Sequence, residues 1–126
     1  MEVDLELYRE ELLVSEEPPV RLSYIEVMPE NPVGTMVFIH GFGGYAMQWK
    51  NQLKAFSDNY RVIAYDLRGH DRSDAPYSRY DMDEMQADLD ALIARLNVRL
   101  PFVLVGHSFG GAIATTFAWR RPEALT

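Results

Sequence analysis

Three short runs of uninterrupted apolar residues constrain this chain most: Met36-Val37-Phe38-Ile39, Val62-Ile63-Ala64-Tyr65 and Phe102-Val103-Leu104-Val105. A strand with one face in water alternates apolar and polar residues. A short β-rich run without alternation suits a strand covered on both faces, as in a parallel sheet. Helical spacing separates the runs. Ala46, Trp49, Leu53 and Phe56 fall at intervals of 3, 4 and 3 and share one helix face. Met82, Met85, Leu89, Leu92 and Leu96 do the same behind an Asp81-x-x-Glu84 sequence shaped like a capping box. A third helix is predicted from Phe109 to Arg121, where Pro122 stops it. Two looser alternating segments, Leu5–Tyr8 and Leu22–Val27, read as strands, with turns at Glu16–Pro19 and Pro29–Gly34. The order β-β-β-α-β-α-β-α predicts the α/β class, with a mostly parallel sheet, right-handed crossovers and flanking helices.

At 126 residues the chain has room for one domain, and it carries no repeat, low-complexity stretch or Gly/Ser linker. A formal net charge of −7 argues against nucleic acid as a partner, because phosphate binding needs a basic face. No run approaches the ~20 apolar residues that span a bilayer. The acidic start, MEVDLELYREE, is unlike a secretory signal, so a cytoplasmic protein is expected. The absence of cysteine excludes disulfides and thiol catalysis, and no His-x-x-x-His or Glu-x-x-His spacing suggests a metal.

The segment Phe102 to Ile113 joins a buried strand, a Gly106-His107-Ser108-Phe109-Gly110 sequence and a helix. A serine on a very sharp strand-to-helix turn projects its hydroxyl above the sheet. Such a turn brings the residues two before and two after into contact, so both must be glycine. The Phe109 N–H then lies free at the helix N-terminus, where the dipole favours an oxyanion. The bland reading of the same residues is a glycine-rich turn with a capping serine.

Here the sequence resembles the α/β-hydrolase superfamily in its esterase and lipase-like branch. Three motifs carry the resemblance, each after one of the apolar runs: His40-Gly41-Phe42-Gly43-Gly44, Asp66-Leu67-Arg68-Gly69-His70-Asp71-Arg72-Ser73-Asp74, and Gly106-His107-Ser108-Phe109-Gly110-Gly111. The resemblance implies that Ser108 is a nucleophile and that the backbone N–H groups of Phe42 and Phe109 form an oxyanion hole. It implies an ester-like small-molecule substrate and an acyl-enzyme, with no cofactor or metal. Related epoxide hydrolases and haloalkane dehalogenases place aspartate at the elbow, so serine at 108 argues against both chemistries. Asp71 stands where many relatives have glycine.

The remaining polar residues read mainly as structure. His40 and His70 match structural loop positions of the family, and the turn should aim His107 away from Ser108. Asp66 and Arg68 read as a loop-bracing pair, Glu2 to Glu17 as a solvated acidic face, and Tyr45 and Trp49 as helix-core packing in preference to the floor of a site. Two other functions compete. Gly41-Phe42-Gly43-Gly44-Tyr45-Ala46, with Asp66 twenty residues beyond Ala46, also fits a dinucleotide-binding fingerprint of an oxidoreductase. A hydrolase-like binding or receptor protein with little turnover would keep the same elbow.

In the family the acid and histidine of the triad follow the serine. Only 18 residues follow Ser108, with one acid, Glu123, and no histidine. The chain is therefore expected to be the N-terminal part of a single hydrolase domain, its lid, acid and histidine supplied by a C-terminal remainder in the same or a separate chain. Residues 1–126 alone should be poorly soluble and inert toward a p-nitrophenyl ester, and active only with that remainder. Soluble, monomeric 1–126 with Ser108-dependent turnover would be the contrary result.

Overall fold

The three apolar runs form the parallel part of one sheet. β3 (Thr35–Ile39) pairs in parallel with β4 (Arg61–Tyr65) on one side and with β5 (Val103–Gly106) on the other. The structure, a computed structural model, describes residues 4–76 and 80–126. An N-terminal hairpin of β1 (Arg9–Glu16) and β2 (Pro19–Val27) joins antiparallel through β2 and β4, giving the order β1-β2-β4-β3-β5 in a mixed sheet.

Alternate residues explain the uninterrupted runs. Val37, Ile39, Ile63 and Tyr65 face one core, shared with Met85, Leu89 and Leu92 of α2 (Met82–Arg95) and with Ile113 and Phe117 of α3 (Phe109–Arg120). Met36, Phe38, Val62 and Ala64 face a second core on the opposite side, closed by Ala46 and by Leu53 of α1 (Lys50–Phe56). Both faces of β3 and β4 are thus covered, and polar residues there would lose water without gaining partners. β5 is half-buried; beyond it Phe102 and Leu125 form a single parallel bridge, the Thr126 N–H donating to the Phe102 carbonyl at 2.9 Å. Among the described residues no helix is long and apolar enough to cross a membrane.

Two expected elements differ. Leu5–Tyr8 is a 3-10 helix rather than a strand, and the strand begins at Arg9. The Asp4 carboxylate accepts the Glu6 N–H at 3.0 Å and caps this turn. A strand would put Leu5 and Leu7 on one face, whereas Leu5 is 3% exposed and Leu7 81%. The second difference is that the helix through Ala46 and Phe56 opens with a 3-10 turn at Ala46–Trp49 before α1. Its Trp49 packs on Phe38 with ring centroids 5.1 Å apart, which agrees with the packing role read for it.

α2 starts where expected: the Asp81 carboxylate accepts the Glu84 N–H at 3.0 Å. Its buried face also carries Asp88, which takes two hydrogen bonds from Arg68, at 2.7 and 2.8 Å, in the loop after β4. Those hydrogen bonds hold the Arg68 guanidinium charged, raising its pKa. The two side chains are 4% and 5% exposed, so removing Asp88 takes two hydrogen bonds from a buried guanidinium and leaves it the more exposed Glu84, at 3.6 Å, as a weaker carboxylate partner. Asp88→Ala should destabilise the protein by ~3–5 kcal/mol in urea denaturation, far more than an exposed aspartate would. A loss below ~1 kcal/mol would mean that Arg68 finds water when its partner goes.

Candidate functional site

The turn between β5 and α3 holds Ser108 at φ 58°, ψ −120°, a backbone conformation that L side chains rarely adopt. Gly106 and Gly110 make room for it in different ways. A Cβ at Gly106 would run into the Gly110 carbonyl, as the sharp turn predicts. A Cβ at Gly110 would run instead into the backbone carbonyls of Ile39 and His40 at the end of β3. The second glycine is thus required by the neighbouring strand, a constraint the turn alone does not reveal.

The Ser108 side chain is exposed and makes no capping hydrogen bond to α3, so it is not the helix-capping serine of the bland reading. Gly41 lies against it: a Cβ there would sit 3.0 Å from the Ser108 Cβ and 3.4 Å from its hydroxyl oxygen. The tight turn Gly41–Gly44, closed by a 3.0 Å bond from the Gly44 N–H to the Gly41 carbonyl, therefore abuts the serine. Phe42 and Phe109 flank it, their rings stacked with centroids 4.3 Å apart. Among the described residues neither the Phe42 N–H nor the Phe109 N–H has a protein acceptor, and the latter is the first amide of a 12-residue helix. The Ser108 hydroxyl is thus uncapped, with the Gly41–Gly44 turn beside it and the start of α3 directly after it.

Three hydrogen bonds lace the loop 40–46 to the loop 66–72. The Leu67 N–H donates to His40 Nε2 at 3.0 Å, the Gly43 N–H to His70 Nε2 at 3.0 Å, and the Ala46 N–H to an Asp66 carboxylate oxygen at 2.6 Å. Each imidazole is held from behind through Nδ1, His40 by the Gly41 carbonyl at 2.6 Å and His70 by the Arg68 carbonyl at 3.1 Å. These partners set one tautomer for both rings: Nδ1 donates and Nε2 accepts. Both histidines are therefore occupied as loop staples, in keeping with the structural reading. His107 is exposed and lines a cavity of about 260 Å3 with Gln48, Trp49 and Gln52. Among the described residues no histidine is hydrogen-bonded to Ser108.

Asp66 and Arg68 do not pair with each other. Arg68 reaches α2, whereas Asp66, fully buried, accepts from Arg9 at 3.0 Å and from the Arg72 N–H at 3.3 Å besides Ala46. Asp66, directly after β4, reaches the hairpin, and Arg68, two residues further into the loop, reaches α2. Glu6 is likewise not simply solvated. It holds Arg9 at 2.8 and 3.0 Å, and that hydrogen bonding lowers its pKa. Glu2 lies outside the described residues. Arg9, missed as a site residue, is the only base in the first twenty residues, the one signal that could have marked it. With every Asp66 contact internal, its carboxylate is not available to a ribose, against the dinucleotide reading.

The sequence profile of the alpha/beta hydrolase fold matches residues 34–125. The chain belongs to the alpha/beta hydrolase family. Over 109 residues it is 38% identical to epoxide hydrolase 1 of Caenorhabditis elegans, covering 84% of this chain and 26% of that protein. It is 45% identical over 86 residues to a non-heme chloroperoxidase of Streptomyces lividans, covering 68% of this chain and 31% of the relative. The crystal structure of a probable hydrolytic enzyme from Pseudomonas aeruginosa PAO1 superposes with a TM-score of 0.85 at 31% identity, over 93% of this chain and 38% of that one. The chain thus spans about a quarter to a third of the length of the curated relatives it matches.

Burial of His40, 1% exposed, pushes its pKa below the ordinary histidine value; nearby His70 adds to this, and the Gly41 hydrogen bond, Asp66 and Asp71 oppose it. The folded state thus keeps His40 neutral where the unfolded chain takes up a proton. Its stabilising contribution is present above the unfolded pKa of ~6.5 and is lost as pH falls from there toward the lowered folded value. Wild-type Tm should therefore drop on acidification from about pH 7.5 to about pH 5, and His40→Gln, less stable at neutral pH, should show a shallower acid slope. An identical slope in the variant would place the acid sensitivity elsewhere.

Proposed function

We propose that this chain forms the nucleophile and oxyanion portion of a serine hydrolase acting on a carboxylic ester or related acyl bond. The observation that supports it best is Ser108, strained at φ 58° with its hydroxyl uncapped at the start of α3 and abutting the Gly41–Gly44 turn. Ser108 attacks the acyl carbon, and the Phe42 and Phe109 amides take the charge that develops on the carbonyl oxygen. A histidine, oriented by an acid, both supplied by the remainder of the hydrolase fold in the same or a separate chain, removes the serine proton, delivers it to the leaving alcohol, and activates the water that releases the acyl group.

A second reading, epoxide opening, is favoured by the name of the C. elegans relative. Chemistry weighs against it at this site. A carboxylate that opens an epoxide forms an ester, which water can cleave. A serine that opens one forms a dialkyl ether, which water does not cleave under these conditions, so the enzyme would stop after one turnover. A binding protein with the same elbow would turn the ester over slowly or not at all.

The complete enzyme should therefore be labelled by a fluorophosphonate and should hydrolyse a short p-nitrophenyl ester. Ser108→Ala should abolish labelling and lower kcat by about 10³-fold or more, with Tm nearly unchanged. Turnover of styrene oxide without ester hydrolysis, or a folded Ser108→Ala enzyme of near-normal rate, would overturn the esterase reading.

A further inference from the structure

The three bonds that lace the two loops are not equivalent. His40 and Asp66 are buried at 1% and 0% exposure, and their bonds to Leu67 and Ala46 satisfy groups that have no access to water. The bond from Gly43 to His70 is exposed, where water competes for both partners and a hydrogen bond adds little to stability. It nevertheless acts at a sparsely packed point of the site, where the Phe42 ring stacks on Phe109 but Gly43 has no side-chain neighbour. Gly43 sits at φ +76° in the third position of the Gly41–Gly44 turn, as a type II turn requires, and a Cβ built there meets nothing within 4 Å. No packing fixes the turn on that side. The His70 ring supplies two contacts to it: Nε2 accepts the Gly43 N–H, and the ring lies 5.8 Å from that of Phe42, which is itself 66% exposed. The ring is aimed at the turn because Nδ1 is tied to the Arg68 carbonyl at 3.1 Å, and Arg68 is locked to Asp88.

We propose that His70 is a positioning residue of the oxyanion turn, holding Gly43 and Phe42 so that the Phe42 N–H meets the carbonyl oxygen of an ester under attack by Ser108. This rests on the esterase reading. His70 touches neither the substrate nor the serine and acts through the turn alone. Its loss should slow the chemical step, where the oxyanion forms, and leave ground-state binding nearly untouched.

The test uses the full-length enzyme with a short p-nitrophenyl ester. Asparagine reproduces the Nδ1 end of the imidazole but is too short to reach Gly43, whereas glutamine reaches the Nε2 end. His70→Asn should lower kcat by about 10- to 100-fold with KM within about 2-fold and Tm close to wild type, and His70→Gln should return kcat to within about 5-fold of wild type. Equal rates in the two variants, a change confined to KM, or loss of the fold in both would overturn the proposal while wild-type turnover persists. If the wild-type enzyme neither hydrolyses the ester nor takes the fluorophosphonate label, the esterase reading fails and this proposal fails with it.

Discussion

The buried carboxylate of Asp66 is the point through which the site's separate segments are held together. It sits at the end of β4 with no exposure to solvent and accepts hydrogen bonds from three places in the chain: Arg9 of the hairpin, the Ala46 amide after the Gly41–Gly44 turn, and the Arg72 amide in its own loop. A buried ion pair adds little net stability, because desolvation offsets most of the attraction. What such a pair enforces is arrangement, since displacing any one partner leaves an uncompensated charge or dipole in a dry place. The Asp66 backbone takes part as well. Its N–H donates to the Ser23 carbonyl of β2 at 2.9 Å, and its carbonyl accepts the Ser73 hydroxyl at 2.6 Å. The hairpin is thus fixed to the loop that carries His70.

The centre of the fold was legible because burial leaves a direct mark on composition. Val37 and Phe38, or Ile63 and Ala64, must both be apolar when helices cover both faces, and no other arrangement of short runs explains that pattern so simply. The elbow was legible for a related reason: only glycine fits at 106, and the chain shows it. The edges were not. Leu5-Glu6-Leu7-Tyr8 alternates like a strand, but the Glu6 N–H bonded to the Asp4 carboxylate and the burial of Leu5 without Leu7 together favour a 3-10 helix.

Long-range charge pairing was the other illegible layer. Asp66 and Arg68 are two residues apart and of opposite sign, so a local pair is the simplest guess. Their true partners, Arg9 and Asp88, lie 57 and 20 residues away in sequence. Nothing in spacing encodes such pairs, because they depend on how the fold brings β1 and α2 to the loop after β4. The histidines were legible in role but not in geometry. That each accepts an amide from the loop opposite its own requires the two loops to be neighbours, which follows from β3 and β4 being adjacent and parallel.

The same adjacency explains how a strained serine can be held in register with the turn beside it. The Ser108 conformation is intrinsically unfavourable by about 1–3 kcal/mol and persists only where its surroundings over-determine it. Gly106 packs on Gly110, and Gly110 packs on the carbonyls of Ile39 and His40. The His107 N–H, one residue before the serine, donates to the same Ile39 carbonyl at 3.1 Å. The elbow is therefore built against the last residues of β3. Those residues also launch the Gly41–Gly44 turn, since His40 precedes it directly and grips the loop after β4 through Leu67. Serine and turn thus share one reference point, the C-terminal end of β3, instead of being two loops each placed by its own contacts. A shift of either relative to the other must move that strand end, which is bonded on both sides within the sheet. Rigidity of this kind is what the proposed oxyanion site needs, because donors that must reorganise as charge develops give up much of their stabilisation.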